Sequence, residues 1–210
     1  MNTLLRLLPL LAALALAAGQ PSYAQQVGRV SGDVSGDVSG DASIATGAAV
    51  SATGAVTVNQ AAGLNNAQAN QLTITNGNAV ANDNASIQSA TARVRVPSAR
   101  ASIEGNAFSN SSGAVMVNQS AGAGNLQRNS VLLGTVAPGV ETVPDGVLSA
   151  TAANNGGHGR AVPPQGVRET SISSDAFKNV NGIVQINQTA GAGNATANSF
   201  VLRPPAGTLF

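Results

Sequence analysis

One 33-residue pattern occurs three times in this chain of 210 residues and constrains its fold more than any other feature. The copies align without gaps, and 11 columns hold the same residue in all three. We call them repeat 1 (42–74), repeat 2 (101–133) and repeat 3 (170–202). A unit of this length buries too little surface to fold alone, so the repetition predicts three units that stack on one another.

Each repeat has the alternation of β-strands. In repeat 1, Val56, Val58 and Gln60 share one face of an extended chain, with Thr57 and Asn59 on the other. The alternation resumes after a glycine, and an upstream strand is expected around 42–50. A helix is the alternative, since two asparagines after the glycine stand four residues apart, but Gly, Asn and β-branched residues are poor helix formers. We expect an all-β fold, with three short strands per repeat stacked as a β-solenoid or cross-β core.

The repeated columns are rich in side-chain amides. An amide both donates and accepts, so identical Asn or Gln residues in a column can hydrogen-bond along the stack, whereas charged residues would repel their own copies. Gly63, Gly122 and Gly191 are expected to turn the chain where a Cβ would not fit. The residues predicted to form stacking ladders for self-assembly are Asn59, Gln60, Asn66, Asn70, Asn118, Gln119, Asn125, Asn129, Asn187, Gln188, Asn194 and Asn198.

Residues 1–24 have the layout of a secretory signal peptide. They carry Arg6, an apolar run, and small residues at Ser22 and Ala24, so cleavage is expected after Ala24. A membrane anchor is the alternative, but the run is shorter than the ~20 residues that a span needs. We expect a secreted chain that is not integral to a membrane. The other predicted segments are a flexible low-complexity leader (25–41), two flexible spacers (75–100 and 134–169) and a C-terminal tail (203–210).

Composition excludes several classes of function. Removal of residues 1–24 leaves nine basic and nine acidic side chains, and the remaining chain has one Lys and four Phe. Nucleic acid is therefore not an expected partner, because binding it needs a basic surface with aromatic groups for stacking. The chain has no Cys and one His, His158 in a Gly-rich spacer, so we expect no enzyme, no catalytic residue and no cofactor.

Three aspartates in the leader form a candidate metal site. Asp33, Asp37 and Asp41 stand four residues apart, a spacing that suggests a calcium site. The Gly-rich nonapeptide of calcium-binding β-rolls is not matched, however. A solvated leader without a bound metal is the expectation.

The repeats resemble a known family of fibre proteins. "VNQAAGLNNAQAN", "VNQSAGAGNLQRN" and "INQTAGAGNATAN", separated by unequal spacers behind a signal peptide, are similar to the Fap-type functional amyloid subunits of biofilm-forming Gram-negative bacteria. Curli subunits are similar in style, but their repeats are shorter and follow one another without long spacers. Fap fibre subunits usually carry a Cys-x-x-Cys pair near the C-terminus, and this chain has no Cys.

The resemblance implies a secreted structural subunit, major or nucleating, of an extracellular amyloid fibre that supports biofilm formation and surface adhesion. The implied partners are other copies of the same chain, an outer-membrane secretion channel and other fibre subunits. The alternative is a monomeric β-solenoid adhesin that binds a surface through its spacers. Seeded growth separates the two, because only the fibre subunit is expected to show it.

Overall fold

The computed structural model describes residues 22–31, 36–75, 82–91, 94–134, 166–202 and 204. All regular structure in these residues is β-strand, so the all-β prediction is confirmed, and the described part of the chain contains no helix of the length and hydropathy of a membrane span. The strands are β1 (Ser22–Ser31), β2 (Asp37–Ile44), β3 (Thr53–Leu64), β4 (Ala67–Thr75), β5 (Asn82–Thr91), β6 (Arg95–Ile103), β7 (Ser112–Ala123), β8 (Leu126–Gly134), β9 (Val167–Ile172), β10 (Asn181–Ala192) and β11 (Ala195–Leu202).

The strands form four open sheets in which every pair is parallel. Sheet A contains β1 and β5, sheet B has the order β2-β6-β9, sheet C the order β3-β7-β10, and sheet D the order β4-β8-β11. In sheets B, C and D the central strand comes from repeat 2 or the residues just before it. Identical residues lie opposite each other, as Asn59 with Asn118 and Asn118 with Asn187. This register follows the gapless alignment of the repeats.

The sheets pack in the order B, C, D and A. Two apolar clusters lie between sheets B and C: one is mostly alanine, and the other contains Ile44, Ile103, Phe108, Val115 and Val117. Between sheets C and D the contacts are mainly amide hydrogen bonds. A small apolar cluster of Ala67, Ala90 and Leu126 joins sheet D to sheet A. The core therefore alternates apolar and polar layers, which agrees with the period-two pattern of each strand.

Three segments differ from the sequence-based expectation: the leader, spacer 1 and the upstream strand of repeat 1. The predicted leader and spacer 1 contain β1 and β5, which pair with each other in register from Ser22 opposite Asn82 to Ser31 opposite Thr91. The predicted cleavage site at Ala24 lies within β1. The upstream strand of repeat 1 ends at Ile44, and a turn follows it because Ala49 and Ser51 have the left-handed φ values of 52° and 57°. Spacer 2, apart from its end at β9, and the tail, apart from residue 204, lie outside the described residues.

A proline explains the one irregularity of register in sheet B. Asp37 pairs with Arg95, but Ser39 pairs with Ser98, so β6 contains one extra residue. Pro97 lies in this stretch and has no N–H to donate to a neighbouring strand. The bulge accommodates Pro97, and the regular register resumes from Ser98 to Ile103.

Candidate self-assembly site

The alternation of β3, β7 and β10 sends neighbouring amides to opposite faces of sheet C. In β3, Asn59 faces sheet D, where Asn70 donates to its Oδ1 at 3.0 Å. Gln60 faces sheet B and donates from Nε2 to the backbone oxygen of Ser43 at 2.8 Å. The adjacent residues of one Asn-Gln pair therefore bind two different sheets, and the same arrangement recurs in β7 and β10.

Four columns of amides run across the three repeats with a side-chain hydrogen bond at every step. The Asn59–Asn118–Asn187 column has N···O distances of 3.0 and 2.9 Å, and the Gln60–Gln119–Gln188 column has 2.7 and 2.8 Å. In sheet D and the turn before it, the Asn66–Asn125–Asn194 column has 2.8 Å at both steps, and the Asn70–Asn129–Asn198 column has 2.9 and 3.0 Å. All twelve amides predicted from the sequence are placed in these columns.

Two of the columns form one network between sheets C and D. Asn129 donates to Asn118 Oδ1 at 3.1 Å, and Asn118 in turn donates to Asn70 Oδ1 at 3.0 Å. Both side chains also donate to backbone oxygens, Asn118 to Ala69 and Asn129 to Val117. Asn118 and Asn129 are completely buried. Burial of amides in a low-dielectric layer is tolerated because their donors and acceptors have partners, and such a network disfavours other registers.

Two of the three glycines named from the sequence, Gly63 and Gly122, are needed for close packing of the backbone within the chain. Gly63, Gly122 and Gly191 have φ values of 112°, 110° and 128°, and all three lie inside strands. A Cβ at Gly63 would lie 2.0 Å from the carbonyl oxygen of Gly122, so only glycine fits. The chain reversal comes two residues later, at Asn65 in repeat 1 and at its counterparts Gly124 and Gly193, all with positive φ.

Several contacts of the stack were missed by sequence reasoning. Gln68 donates to Gln127 Oε1 at 2.7 Å, but repeat 3 has Thr196 at this position, so identity across three copies did not single it out. The rings of Phe108 and Phe177 stack with centroids 4.9 Å apart and an interplanar angle of 11°. Only repeats 2 and 3 have this aromatic residue. A comparison of these two repeats alone would have identified the pair.

Sheet A also makes polar contacts that could not be predicted from the repeats, because its strands lie outside them. From β5, Asn84 donates to the backbone oxygen of Val131 at 3.1 Å, and Gln88 donates to that of Gln127 at 3.2 Å. Both side chains are buried. The alternation of Asn84, Ser86, Gln88 and Ala90, all buried, was the available signal.

The two ends of the stack are open. Among the described residues, β3 and β10 each pair only with β7, and β4 and β11 each pair only with β8. From Ala114 to Leu132 every residue of repeat 2 is buried, whereas β3 contains no buried residue and β11 is exposed or half-buried throughout. Unpaired N–H and C=O groups on parallel edge strands are templates for another strand. The geometry therefore presents one β-edge surface at each end.

Other candidate chemistry is sparse in the described part of the chain. No group of three or more His, Asp or Glu side chains there could hold a metal ion. Asp37 lies 3.9 Å from Arg95, and Arg100 lies 3.0 Å from Glu169, both as exposed ion pairs. His158 and Asp33 lie outside the described residues.

Comparison with known proteins agrees with the resemblance seen in the repeats. No solved structure matches the chain. The model of the functional amyloid protein FapB/FapC family matches residues 17–205, which include all three repeats and both spacers. The chain therefore belongs to the FapB/FapC family of functional amyloid proteins.

Proposed function

We propose that this chain is a secreted structural subunit, major or nucleating, of an extracellular amyloid fibre that supports biofilm formation and surface adhesion. Each molecule contributes three layers of a β-solenoid, one per repeat, and molecules stack end to end to continue the layers. The signal peptide at 1–24 directs export, and an outer-membrane channel and other fibre subunits are the expected partners. The spacers connect the layers, and spacer 1 also adds β5 to the stack.

The observation that carries this proposal is the contrast in burial between repeats that share one sequence pattern. Repeat 2 has a partner on both sides and is buried, while repeats 1 and 3 have one partner each and present open edges. In a fibre every repeat gains the environment that repeat 2 has within one chain. Each backbone N–H and C=O then pairs along the axis, which gives cross-β assemblies their stability.

Family membership supports the same function from an independent direction. The FapB/FapC family consists of functional amyloid proteins, and this chain matches its model over most of its length. A structural role is also consistent with the amides of the stack, which bind backbone oxygens and one another.

Seeded polymerisation tests the proposal. The chain without residues 1–24 is incubated with thioflavin T, with and without sonicated fibres, and the product is examined by X-ray fibre diffraction. We expect seeds to remove the lag phase and the fibres to give reflections near 4.7 and 10 Å. A stable, monomeric β protein that seeds do not recruit would overturn the proposal and favour a surface-binding adhesin.

A further inference from the structure

The hydrogen bonds of the four amide ladders all run in one direction along the stack. At each of the eight steps the NH₂ group belongs to the later repeat and the accepting oxygen to the earlier one. The Gln68–Gln127 bond, outside these ladders, runs the other way, and its column has no glutamine in repeat 3, where Thr196 stands; at the repeat 1 end it leaves Gln68 Oε1 as an acceptor. The stack is polar.

Backbone groups fix this direction. Gln119 Nε2 donates to the backbone oxygens of Ala42 and Ser102 as well as to Gln60 Oε1. Rotation of the amide by 180° would place an oxygen against two carbonyl oxygens. In the same way, the backbone N–H of Asn125 donates to Asn66 Oδ1 at 3.0 Å, which requires an oxygen at that position. The ladders cannot reverse without loss of these bonds.

The open face of repeat 3 presents acceptors. Within the described residues, no donor reaches Gln188 Oε1, Asn194 Oδ1 or Asn198 Oδ1, although the NH₂ groups of all three side chains donate to repeat 2. Gln185 adds a further acceptor, because its Oε1 is buried and has no hydrogen-bond partner in the described structure. This face therefore needs donors from whatever covers it.

The open face of repeat 1 presents donors. Gln119 and Gln188 each donate from Nε2 to three oxygens, two of which belong to the preceding repeat. Gln60 has no preceding repeat, and within the described structure its Nε2 makes only the bond to Ser43. Asn59 Oδ1 accepts hydrogen bonds from Asn118 and Asn70. Its NH₂ group has no partner within the described structure and is available on the open side.

Apolar side chains at the two faces are complementary in register. Ile74 of repeat 1 and Leu202 of repeat 3 both pair with Leu133, and they are 67% and 50% exposed. If repeat 3 of one chain precedes repeat 1 of the next in the same register, Leu202 lies against Ile74. The column Thr57–Met116–Gln185 continues in the same way, so Thr57 of the next chain lies over Gln185.

We propose that the fibre is polar and grows head to tail, with the repeat 1 face of each incoming copy covering the repeat 3 face of its neighbour. This inference rests on the proposed function and adds the identity of the two contacting faces. Contact between two repeat 3 faces would bring amide oxygens against amide oxygens, and contact between two repeat 1 faces would oppose their NH₂ groups. Only the head-to-tail junction pairs donors with acceptors.

Disulfide trapping tests the junction directly, because the natural chain has no Cys. Ala61, Ser120 and Thr189 form one column facing sheet D, where a side chain is shielded from neighbouring fibres. Stacked strands lie about 4.8 Å apart, within the range of Cα separations that a disulfide spans. An Ala61→Cys chain and a Thr189→Cys chain are assembled separately and as an equimolar mixture, then oxidised and denatured. We expect the mixture to give disulfide dimers that each contain one Ala61→Cys chain and one Thr189→Cys chain. Fibres of one variant alone should give mostly monomers.

The matched control is Ser120→Cys, whose side chain has its own repeats on both sides and should stay unlinked. If either variant does not form fibres, Ser43→Cys and Ser171→Cys replace it, since they occupy the same two faces in sheet B. Fibres of a single variant that yield mainly dimers would overturn the proposal in favour of a symmetric junction. Fibres of the mixture without cross-variant dimers would also overturn it. Absence of fibres from the unsubstituted chain would instead contradict the proposed function.

Discussion

Repeat 2 and the outer repeats have nearly the same sequence motif but very different surroundings. Asn118 is completely buried, whereas its counterpart Asn59 is exposed; Val131 is completely buried, whereas its counterpart Phe200 is 39% exposed. The difference comes from position in the stack, since only repeat 2 has a copy on each side. The comparison teaches that the repeat is suited to the interior of a longer stack, and that the free chain leaves two of its three copies half covered.

The largest loss of stability is expected from a charge buried in repeat 2. At neutral pH an aspartate at position 118 cannot donate to Asn59 Oδ1, Asn70 Oδ1 or the oxygen of Ala69, and its charge is buried among these acceptors. We expect Asn118→Asp to lower the free energy of unfolding by on the order of 5 kcal/mol. Circular dichroism during guanidinium titration measures the loss.

The matched control for that substitution is Asn59→Asp. Asn59 uses only its oxygen within the described structure, and a carboxylate keeps that acceptor. The fold of the single chain should therefore survive while addition of a further chain is impaired. Acid should partly restore the Asn118→Asp chain, because burial raises the pKa of the new carboxyl and protonation removes its charge. Equal stability of the two variants at neutral pH would contradict the assigned positions in the stack.

Truncation of the stacked aromatic rings should give the next largest effect. Phe108 is 1% exposed; its N–H donates to the backbone oxygen of Ala48 in repeat 1, and its ring stacks on Phe177 of repeat 3, which is half-buried. We expect Phe108→Ala to cost about 3 kcal/mol and Phe177→Ala about 1 kcal/mol in the free chain. Thermal denaturation of both variants measures the order. A larger loss for Phe177→Ala would show that repeat 3 is not the outer layer.

A methyl group on the glycine column should separate folding from assembly. A Cβ at Gly122 would lie 2.0 Å from Gly191 O, whereas a Cβ at Gly191 would meet side-chain atoms, those of Arg168 from 3.1 Å and Asn194 Nδ2 at 3.6 Å. Gly122→Ala should cost about 1–3 kcal/mol through overpacking. Gly191→Ala should cost the free chain only the strain of its positive φ, about 1–3 kcal/mol, whereas Gly122→Ala adds overpacking to the same strain; yet Gly191→Ala should slow seeded elongation by more than tenfold. Unchanged elongation of Gly191→Ala fibres would mean that the repeat 3 face stays uncovered.

The smallest effect is expected from charge at the ends. In sheet B, Asp41 pairs with Arg100 and Arg100 with Glu169, so the charged column of one chain has a carboxylate at each end. Stacked chains would bring Glu169 beside Asp41 of the next copy, and repulsion there is screened by salt. We expect Glu169→Gln to accelerate elongation by less than about fivefold in 10 mM salt and not at all in 1 M salt. If the effect of Glu169→Gln on the elongation rate is the same at both salt concentrations, Glu169 and Asp41 of neighbouring chains are not in contact.

The strands and the amide columns could be predicted from the sequence because they follow from the repeated pattern. Features that the repeats do not share could not be predicted in this way. Period-two alternation in Val56, Val58 and Gln60 gives the strands, because side chains of an extended chain alternate between faces whatever the partner is. The amide columns follow from identity across copies once the strands are parallel and in register. Their hydrogen bonds are present within the chain, while their part in assembly between chains stays a proposal.

The parts that sequence reasoning missed depend on single contacts. Strand β5 lies in a segment without a close copy, and its burial comes from Asn84 and Gln88 reaching sheet D. The left-handed turn after Ile44 is occupied by Ala49 in repeat 1 and by phenylalanine in repeats 2 and 3, residues with no preference for positive φ. Tertiary packing fixes both features, and single-residue propensities carry no signal for it.

Hydrogen–deuterium exchange of assembled fibres tests most directly whether the outer repeats become interior. Fibres of the unsubstituted chain are exchanged, dissolved under quenching conditions and analysed by mass spectrometry of peptides from β3, β7 and β10. The account predicts equal, strong protection of all three strands, because each would have a neighbour on both sides. Strong protection of β7 alone, with rapid exchange in β3 and β10, would contradict it and show that the edges of the chain stay open in the fibre.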